Sequence, residues 1–266
     1  MPVPLMLRAL WQYRHYVISS IRNEYATRFA RSKFGGLWAI LNPLSMVLIY
    51  ALILSNILQA KMTGIDSQYS FAIYLTAGIL CFNLFSEIVS RSLNVFIANG
   101  NLIKKAMFPK IVLPAIVVGT CLMDNILLFA AILLVFAMLG HMPGIEIIWL
   151  PMLIITTTAL GLGVGLILGI INVFVRDTAQ VVPIILQVLF WFTPIVYPLA
   201  IIPEKYQPLL YLNPIFPLVR AYQDALIFSV TPNLLSIFIV FVVGGALMLL
   251  GLFLFFSANK EMADVL

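Results

Sequence analysis

The chain has 266 residues, 63% of them hydrophobic and only 9% charged, with a formal net charge of +5. Soluble domains carry about 25% charged residues, so this composition excludes an ordinary soluble enzyme and describes an integral membrane protein. No polar interval is long enough to bury a core of its own, so no separate soluble domain is expected. The apolar runs are long and unbroken, which predicts helices and not a barrel, whose strands would alternate every second residue. Cys81 and Cys121 both fall inside apolar runs and read as small buried hydrophobes. They form neither a disulfide framework nor a metal-ligand spacing.

Residues 1–36 hold six of the fifteen Lys and Arg: Arg8, Arg14, Arg22, Arg28, Arg31 and Lys33. Arg8, Arg14 and Arg22 interrupt this stretch before any apolar core of a cleavable signal peptide could form. Ile18, Ile21, Tyr25 and Phe29 recur at helical spacing, with Arg22, Arg28 and Arg31 mostly off that stripe. Glu24 precedes Arg28 by four positions, the favourable order for a helical ion pair. The pattern predicts an amphipathic helix lying in the headgroup region, its basic face toward anionic membrane lipids. A solvated basic leader that only sets topology is the alternative.

Six spans follow, each able to cross a hydrocarbon core of about 30 Å. They are Leu37–Leu58, Phe71–Ile88, Ile111–Leu139, Ile148–Phe174, a fifth starting near Ala179, and Leu234–Phe256. Between spans 2 and 3, Arg91–Lys110 reads as a short amphipathic helix bracketed by turn residues, with Glu87 and Arg91 pairing where span 2 ends. Gly161, Gly165 and Gly169 in span 4 satisfy the small-xxx-small rule and predict a closely packed neighbour. Val175–Thr178 is a polar turn in which Asp177 or Thr178 would cap the next helix.

The fifth span runs into Phe190–Leu226, FWFTPIVYPLAIIPEKYQPLLYLNPIFPLVRAYQDAL, which carries six prolines between Pro194 and Pro217. Broken backbone is tolerated at membrane depth only where protein or a water-filled cavity covers it. Asn213-Pro214 divides the stretch into two half-helices, near Pro203–Leu212 and Ile215–Phe228, that dip in and return. With six spans, the side holding both termini carries twelve Lys and Arg against three on the other: Lys61, Lys205 and Arg220. That bias puts both termini and Arg91–Lys110 in the cytoplasm and the proline-rich stretch outside.

Residues with which to do chemistry are few. His15 and His141 have no partner implied by spacing, and no G-x-x-x-x-G-K-[ST] phosphate loop is present. Asp124 is the one charge deep in a span, either structural or functional. Aromatic surface takes the place of charge. Phe190, Trp191, Phe192 and Tyr197 end the fifth span, followed by Tyr206, Tyr211, Phe216 and Tyr222. They suit an interfacial belt or a conduit on which sugar rings stack and slide.

The basic start, the six spans and a set of ordered motifs resemble the permease subunit of type-2 ABC exporters. The motifs are NVFVRD (Asn172–Asp177), FTPIVYP (Phe192–Pro198), Ile202-Pro203, LNP (Leu212–Pro214) and the following Arg220. Within that family the likeness is to the exporters of O-antigen, teichoic acid and capsule, and most to those of O-antigen. The resemblance implies one all-α transmembrane domain over 1–266. Its parts are a cytoplasmic interface helix (1–36), spans 1–5 (37–197), an extracellular re-entrant helical hairpin (198–230), span 6 (231–256) and a cytoplasmic tail (257–266).

It also implies a homodimer in the bacterial inner membrane, joined by two copies of a separate ABC ATPase. That partner holds the ATP and Mg, so this chain carries no cofactor, no metal and no catalytic residue, and binds no nucleic acid. Contacts to the ATPase would come from the basic interface helix and from Asn99, Gly100, Asn101, Lys104 and Lys105, through a coupling helix near Asn99–Met107, joined by Arg176 and Asp177 of the turn on the same side. Topology setting is the plainer role for Lys104 and Lys105. Phe190, Trp191, Phe192 and Tyr197 would line the channel, and Pro203, Tyr211, Pro214, Arg220 and Tyr222 would form an outer gate. The implied cargo is a lipid-linked polysaccharide. A small-molecule exporter of the same class and a membrane-embedded lipid or sugar transferase are the competing functions.

Overall fold

The computed structural model describes residues 3–29, 32–34, 37–49, 70–104 and 109–265. The last part of span 1, Lys61 and the coupling residues Lys105 and Met107 lie outside them. Among the described residues all regular structure is helical. In chain order the helices are α1 (Val3–Gln12), α2 (Arg14–Phe29), α3 (Trp38–Ile49), α4 (Ser70–Ala98), α5 (Gly100–Ile103) and α6 (Val112–Met138). Then come α7 (Leu150–Phe174), α8 (Thr178–Phe192), α9 (Gln207–Leu210), α10 (Ile215–Gln223) and α11 (Leu234–Val265). Four described stretches are long and apolar enough to cross a membrane: Ile73–Ala98, Val112–Met138, Ile145–Phe174 and Leu234–Ala258.

The helix ends follow local chemistry. Pro114 lies in the first turn of α6, where a missing N–H costs nothing. The helix stops at Gly140, whose φ of 74° is left-handed and lets His141 N–H reach the Phe136 carbonyl at 2.9 Å. Helix α8 starts with Asp177 at the cap position, yet that carboxylate makes no capping bond, because the residue keeps helical angles (φ −63°, ψ −22°). Thr178 instead donates to the Val175 carbonyl at 2.7 Å.

Glycine spacing builds the centre of the bundle. Helix α7 lies between α4 and α11 and presents small residues to both. A Cβ on Gly165 would come within 2.7 Å of the Ser92 side chain, and one on Gly169 within 2.5 Å of the Ser92 carbonyl. On its other side Gly163 meets Leu247 and Met248, while Gly244 meets Leu160 and Gly251 meets Leu166. Lipid offers helices no hydrophobic gain for associating, so close backbone approach and interhelical hydrogen bonds hold them. Asn125 Nδ2 donates to the Leu80 carbonyl at 3.0 Å and Asn172 Nδ2 to the Leu93 carbonyl at 2.9 Å. Such bonds contribute roughly 0.6–2 kcal/mol each in a membrane.

These registers set direction. Ile88 pairs with Gly161 and Ser92 with Gly165, so α4 and α7 run parallel; Leu160 with Gly244 and Leu166 with Gly251 make α11 parallel to them. The turn after α4, the Val175–Asp177 turn and the far end of α11 therefore share one end of the bundle. Phe96 stacks on Phe255 there, with ring centroids 5.2 Å apart. The proline-rich segment occupies the opposite end, beside Tyr74 and His141.

Two expected boundaries are corrected. Span 2 does not end at Ile88: α4 is a single helix of 29 residues reaching Ala98. The helix runs on through Arg91, whose charge is matched by Glu24, Glu87 and Asp124, and Leu93, Val95 and Phe96 carry the buried face onward. Among the described residues, the short helix expected in Arg91–Lys110 is the single turn Gly100–Ile103, and 105–108 lie outside them. The first half-helix, expected over Pro203–Leu212, is instead a 3-10 turn at Glu204–Tyr206 and the single turn of α9. Prolines at 203, 208 and 214 remove too many donors for anything longer. The second half-helix runs from Ile215 through Gln223 into a π turn, Asp224–Phe228.

Candidate functional site

The helical spacing that joins Glu24 to Arg28 and Glu87 to Arg91 makes two local ion pairs, and the fold merges both with Asp124. Helix α2 packs along α6, with Ile21 seated over Gly119. That contact points Glu24, Tyr25 and Arg28 at the junction of α4 and α6. Arg28 Nη1 donates to Asp124 at 3.0 Å and Arg91 Nη2 to its other oxygen at 3.1 Å. Tyr25 Oη donates to the same carboxylate, Arg91 also pairs with Glu24 and Glu87, and Thr120 Oγ1 donates to Glu24 at 3.1 Å.

The five charged side chains are between 21% and 36% exposed, too buried to stand unpaired. Burial, and then the hydrogen bond to Asp124, push the Tyr25 phenol above its ordinary range, so it remains a donor. Burial alone would lower the Arg28 guanidinium, but Asp124 outweighs it and raises it.

A cavity of about 360 Å³ opens beside this network, between α2, α3, α4 and α6. Arg28, Glu87 and Asp124 edge it together with Trp38, Asn42 and Asn83. Asp124 is thus no isolated intramembrane acid but the point where three helices meet. The two i,i+4 pairs were legible in the sequence. Three charge-bearing helices in an otherwise apolar chain were the signal that the pairs had to converge.

At the opposite end, the proline-rich segment is tied down by the backbone groups it frees. The Pro194 carbonyl accepts from Tyr74 Oη at 2.9 Å and from Gln223 Nε2 at 3.4 Å. Asn213 spans the break: its Nδ2 donates to Thr193 Oγ1 at 2.8 Å, and its Oδ1 accepts the Ile215 N–H at 3.0 Å. Gly78 leaves room for Ile195 and Gln223 to approach α4. Tyr74, Thr193 and Gln223 were not singled out by sequence, and their pairing across the bundle has no local signature.

The aromatic residues divide. Phe190 is half-buried, edge-on to Phe82 at 5.2 Å, whereas Trp191 and Phe192 are 55% and 69% exposed. Tyr197 is half-buried and donates to the Trp191 carbonyl at 2.8 Å. Val181, Ile184, Ile185 and Val188 extend the exposed apolar face along α8. Of the residues assigned to an outer gate, Pro203, Tyr211 and Pro214 are exposed, and Tyr211 packs edge-on to Phe216. Arg220 pairs with Asp224 at 3.1 Å. Tyr222 is fully buried in the bundle core. His141, half-buried, stands against Phe136 with Nε2 3.1 Å from the Leu226 carbonyl, a structural position.

At the end shared by the three parallel helices, Asn99 Nδ2 donates back to the Val95 carbonyl at 2.9 Å and closes α4. Gly100 is half-buried, and Asn101, Lys104, Arg176 and Asp177 are exposed. Residues 16–227 match the ABC-2 type transporter family. The chain belongs to that family. The matched region of this ABC-2 transporter protein begins inside α2 and ends in the π turn, so it takes in both the charge network and the proline-rich segment.

Similar proteins agree along most of the length. An O-antigen export system permease protein RfbA of Klebsiella pneumoniae is 28% identical over 247 residues, 91% of this chain and 92% of that protein. The protein of the same name from Myxococcus xanthus is 30% identical over 82% of each chain. A polysialic acid transport protein KpsM of Escherichia coli is 30% identical over 76% of this ABC-2 chain and 77% of its own.

Proposed function

We propose that this chain is the transmembrane, channel-forming subunit of an ATP-driven exporter that carries a lipid-linked polysaccharide, O-antigen-like, from the cytoplasm across the bacterial inner membrane. The observation that carries the reading is the end-to-end similarity to an O-antigen export permease, covering 91% of this chain. ATP and Mg belong to a separate ABC ATPase, two copies of which join two copies of this chain. In this reading the chain has six spans, with α3 as the start of the first and α8 as the fifth, so both termini share a side, and the Lys and Arg bias makes that side the cytoplasm.

The mechanism follows from the layout of the two ends. Binding of ATP closes the ATPase dimer against the exposed turn residues Asn101, Lys104, Arg176 and Asp177, with Asn99, Gly100 and Lys105 completing the contact. The two permease copies then part along their α8 faces. The lipid enters from the inner leaflet near α2, and the glycan slides past Phe190, Trp191, Phe192 and Tyr197. A sugar stacks on an aromatic face without anchoring its hydroxyls, which suits a moving polymer. The segment with Pro203, Tyr211, Pro214, Arg220 and Tyr222 closes the outer mouth as a re-entrant hairpin.

Cells deleted for this chain should retain the finished lipid-linked glycan on the cytoplasmic face, and restoring the chain with its ATPase should return glycan to the surface. Unchanged surface glycan in the deleted cells, with export of a small hydrophobic compound lost instead, would contradict the reading.

A further inference from the structure

We propose that Asp124 is the hub of a coupling joint that fastens α2 to α4 and α6, so that a push on the N-terminal helix moves both helices as one body. The inference rests on the exporter reading above and assigns within it a positioning role that no part of that reading requires.

Geometry carries the argument. Asp124 bonds simultaneously to Arg28 of α2 and Arg91 of α4 from its own place on α6. It lies twelve residues after Val112, about 18 Å along the helix at 1.5 Å per residue. Arg91 is seven residues before Ala98, about 10 Å from the end of α4. The joint therefore grips the bundle well inside the end that carries the exposed turns. Movement of α2 reaches α4 and α6 at this height without passing through the Gly100–Ile103 turn.

The apolar attachment of α2 is slight. Ile18, on its apolar stripe, is 61% exposed, and Ile21 sits over Gly119. The polar contacts of Glu24, Tyr25 and Arg28 are what align it. By contrast α4 and α6 are held to each other by Asn125 on the Leu80 carbonyl and by an extensive apolar core. Neutralising Asp124 removes the carboxylate that bridges Arg28 to Arg91, leaving Glu24 as the remaining anion between the two guanidiniums and Tyr25 with a weaker acceptor. The α2 helix then loosens while the bundle stays assembled.

The test uses the full chain with its ATPase, reconstituted in lipid vesicles, and measures glycan moved per ATP hydrolysed. Asp124→Asn is expected to assemble and hydrolyse ATP at the wild-type rate while the ratio falls at least tenfold. Arg28→Gln should lower the ratio similarly, and the double variant should be no worse than Asp124→Asn alone, because the Arg28–Asp124 link is already broken in it. An unchanged ratio in Asp124→Asn overturns the joint, whether export stays full or assembly, hydrolysis and export decline together. Losses that multiply in the double variant also overturn it, since the residues then act independently. A wild-type complex that hydrolyses ATP and moves no glycan overturns the exporter reading itself.

Discussion

The hydroxyl of Tyr74, at the start of α4, donates to the Pro194 carbonyl at 2.9 Å, joining two residues 120 positions apart. Pro194 lies just past the end of α8, where the helical ladder stops and a carbonyl is left over. Inside a membrane such a group has no water to turn to. Tyr74 supplies the donor, Gln223 adds a longer one, and the proline-rich segment can remain irregular yet ordered.

Tyr74→Phe removes that donor and keeps the ring. A buried acceptor left with a weakened partner costs about 1–2 kcal/mol, so thermal unfolding in detergent should begin about 2–6 °C lower. Tyr197→Phe, which loses a more exposed bond to the Trp191 carbonyl, should shift it less. Equal melting for wild type and Tyr74→Phe would show that the bond does not hold the segment.

Gly169 and Gly245 give a packing contrast. A Cβ at Gly169 meets the Ser92 backbone carbonyl at 2.5 Å, and backbone cannot rotate away; a Cβ at Gly245 meets nothing within 4 Å. Gly169→Ala should reduce the yield of monodisperse folded protein several-fold, and Gly245→Ala should leave it unchanged. Similar yields for the two variants would mean that α4 and α7 do not approach as closely as described.

Trp191 and Phe192 are exposed on α8, so replacing both with Ala should leave folding and ATPase binding intact. If they form the sliding surface, surface glycan in cells should fall several-fold, with the deficit growing with glycan length. Full export of long chains by the double variant would remove the aromatic conduit.

Replacing Asn99–Met107 with a Gly/Ser linker that keeps the buried Ile103 should keep the spans folded, because the buried faces of α4 and α6 lie outside it. Export should be lost while ATP hydrolysis by the partner continues. Export that survives the linker would show that coupling runs elsewhere.

Much of this architecture could be read from residue spacing. The glycine repeat of span 4 announced a close neighbour and has two, since Gly161, Gly165 and Gly169 face α4 while Gly163 faces α11. Asn213-Pro214 marks a helix boundary, with Pro214 at the start of α10, because a proline at a helix start follows local chemistry alone, although the half-helix expected before it is not formed. Arg91 misled for the opposite reason. A charge at the end of an apolar run reads as the end of the helix, and only the tertiary contacts with Glu24 and Asp124 reveal why the helix carries it onward, half-buried and paired. The same non-locality hid the Tyr74–Pro194 bond. Of the candidate site residues in turns, Asn101, Lys104, Arg176 and Asp177 are exposed at one end of the bundle. Tyr222 reads like its aromatic neighbours yet is buried, because the helical face it occupies is set by α10 packing on α4.

The most direct measurement follows a radiolabelled lipid-linked polysaccharide in inverted inner-membrane vesicles containing this chain and its ATPase. The account predicts that the glycan becomes inaccessible to an added glycosidase only when ATP is present, and that vesicles lacking either protein leave it fully cleavable. Protection without ATP, or equal protection in vesicles lacking this chain, would contradict its role as the channel.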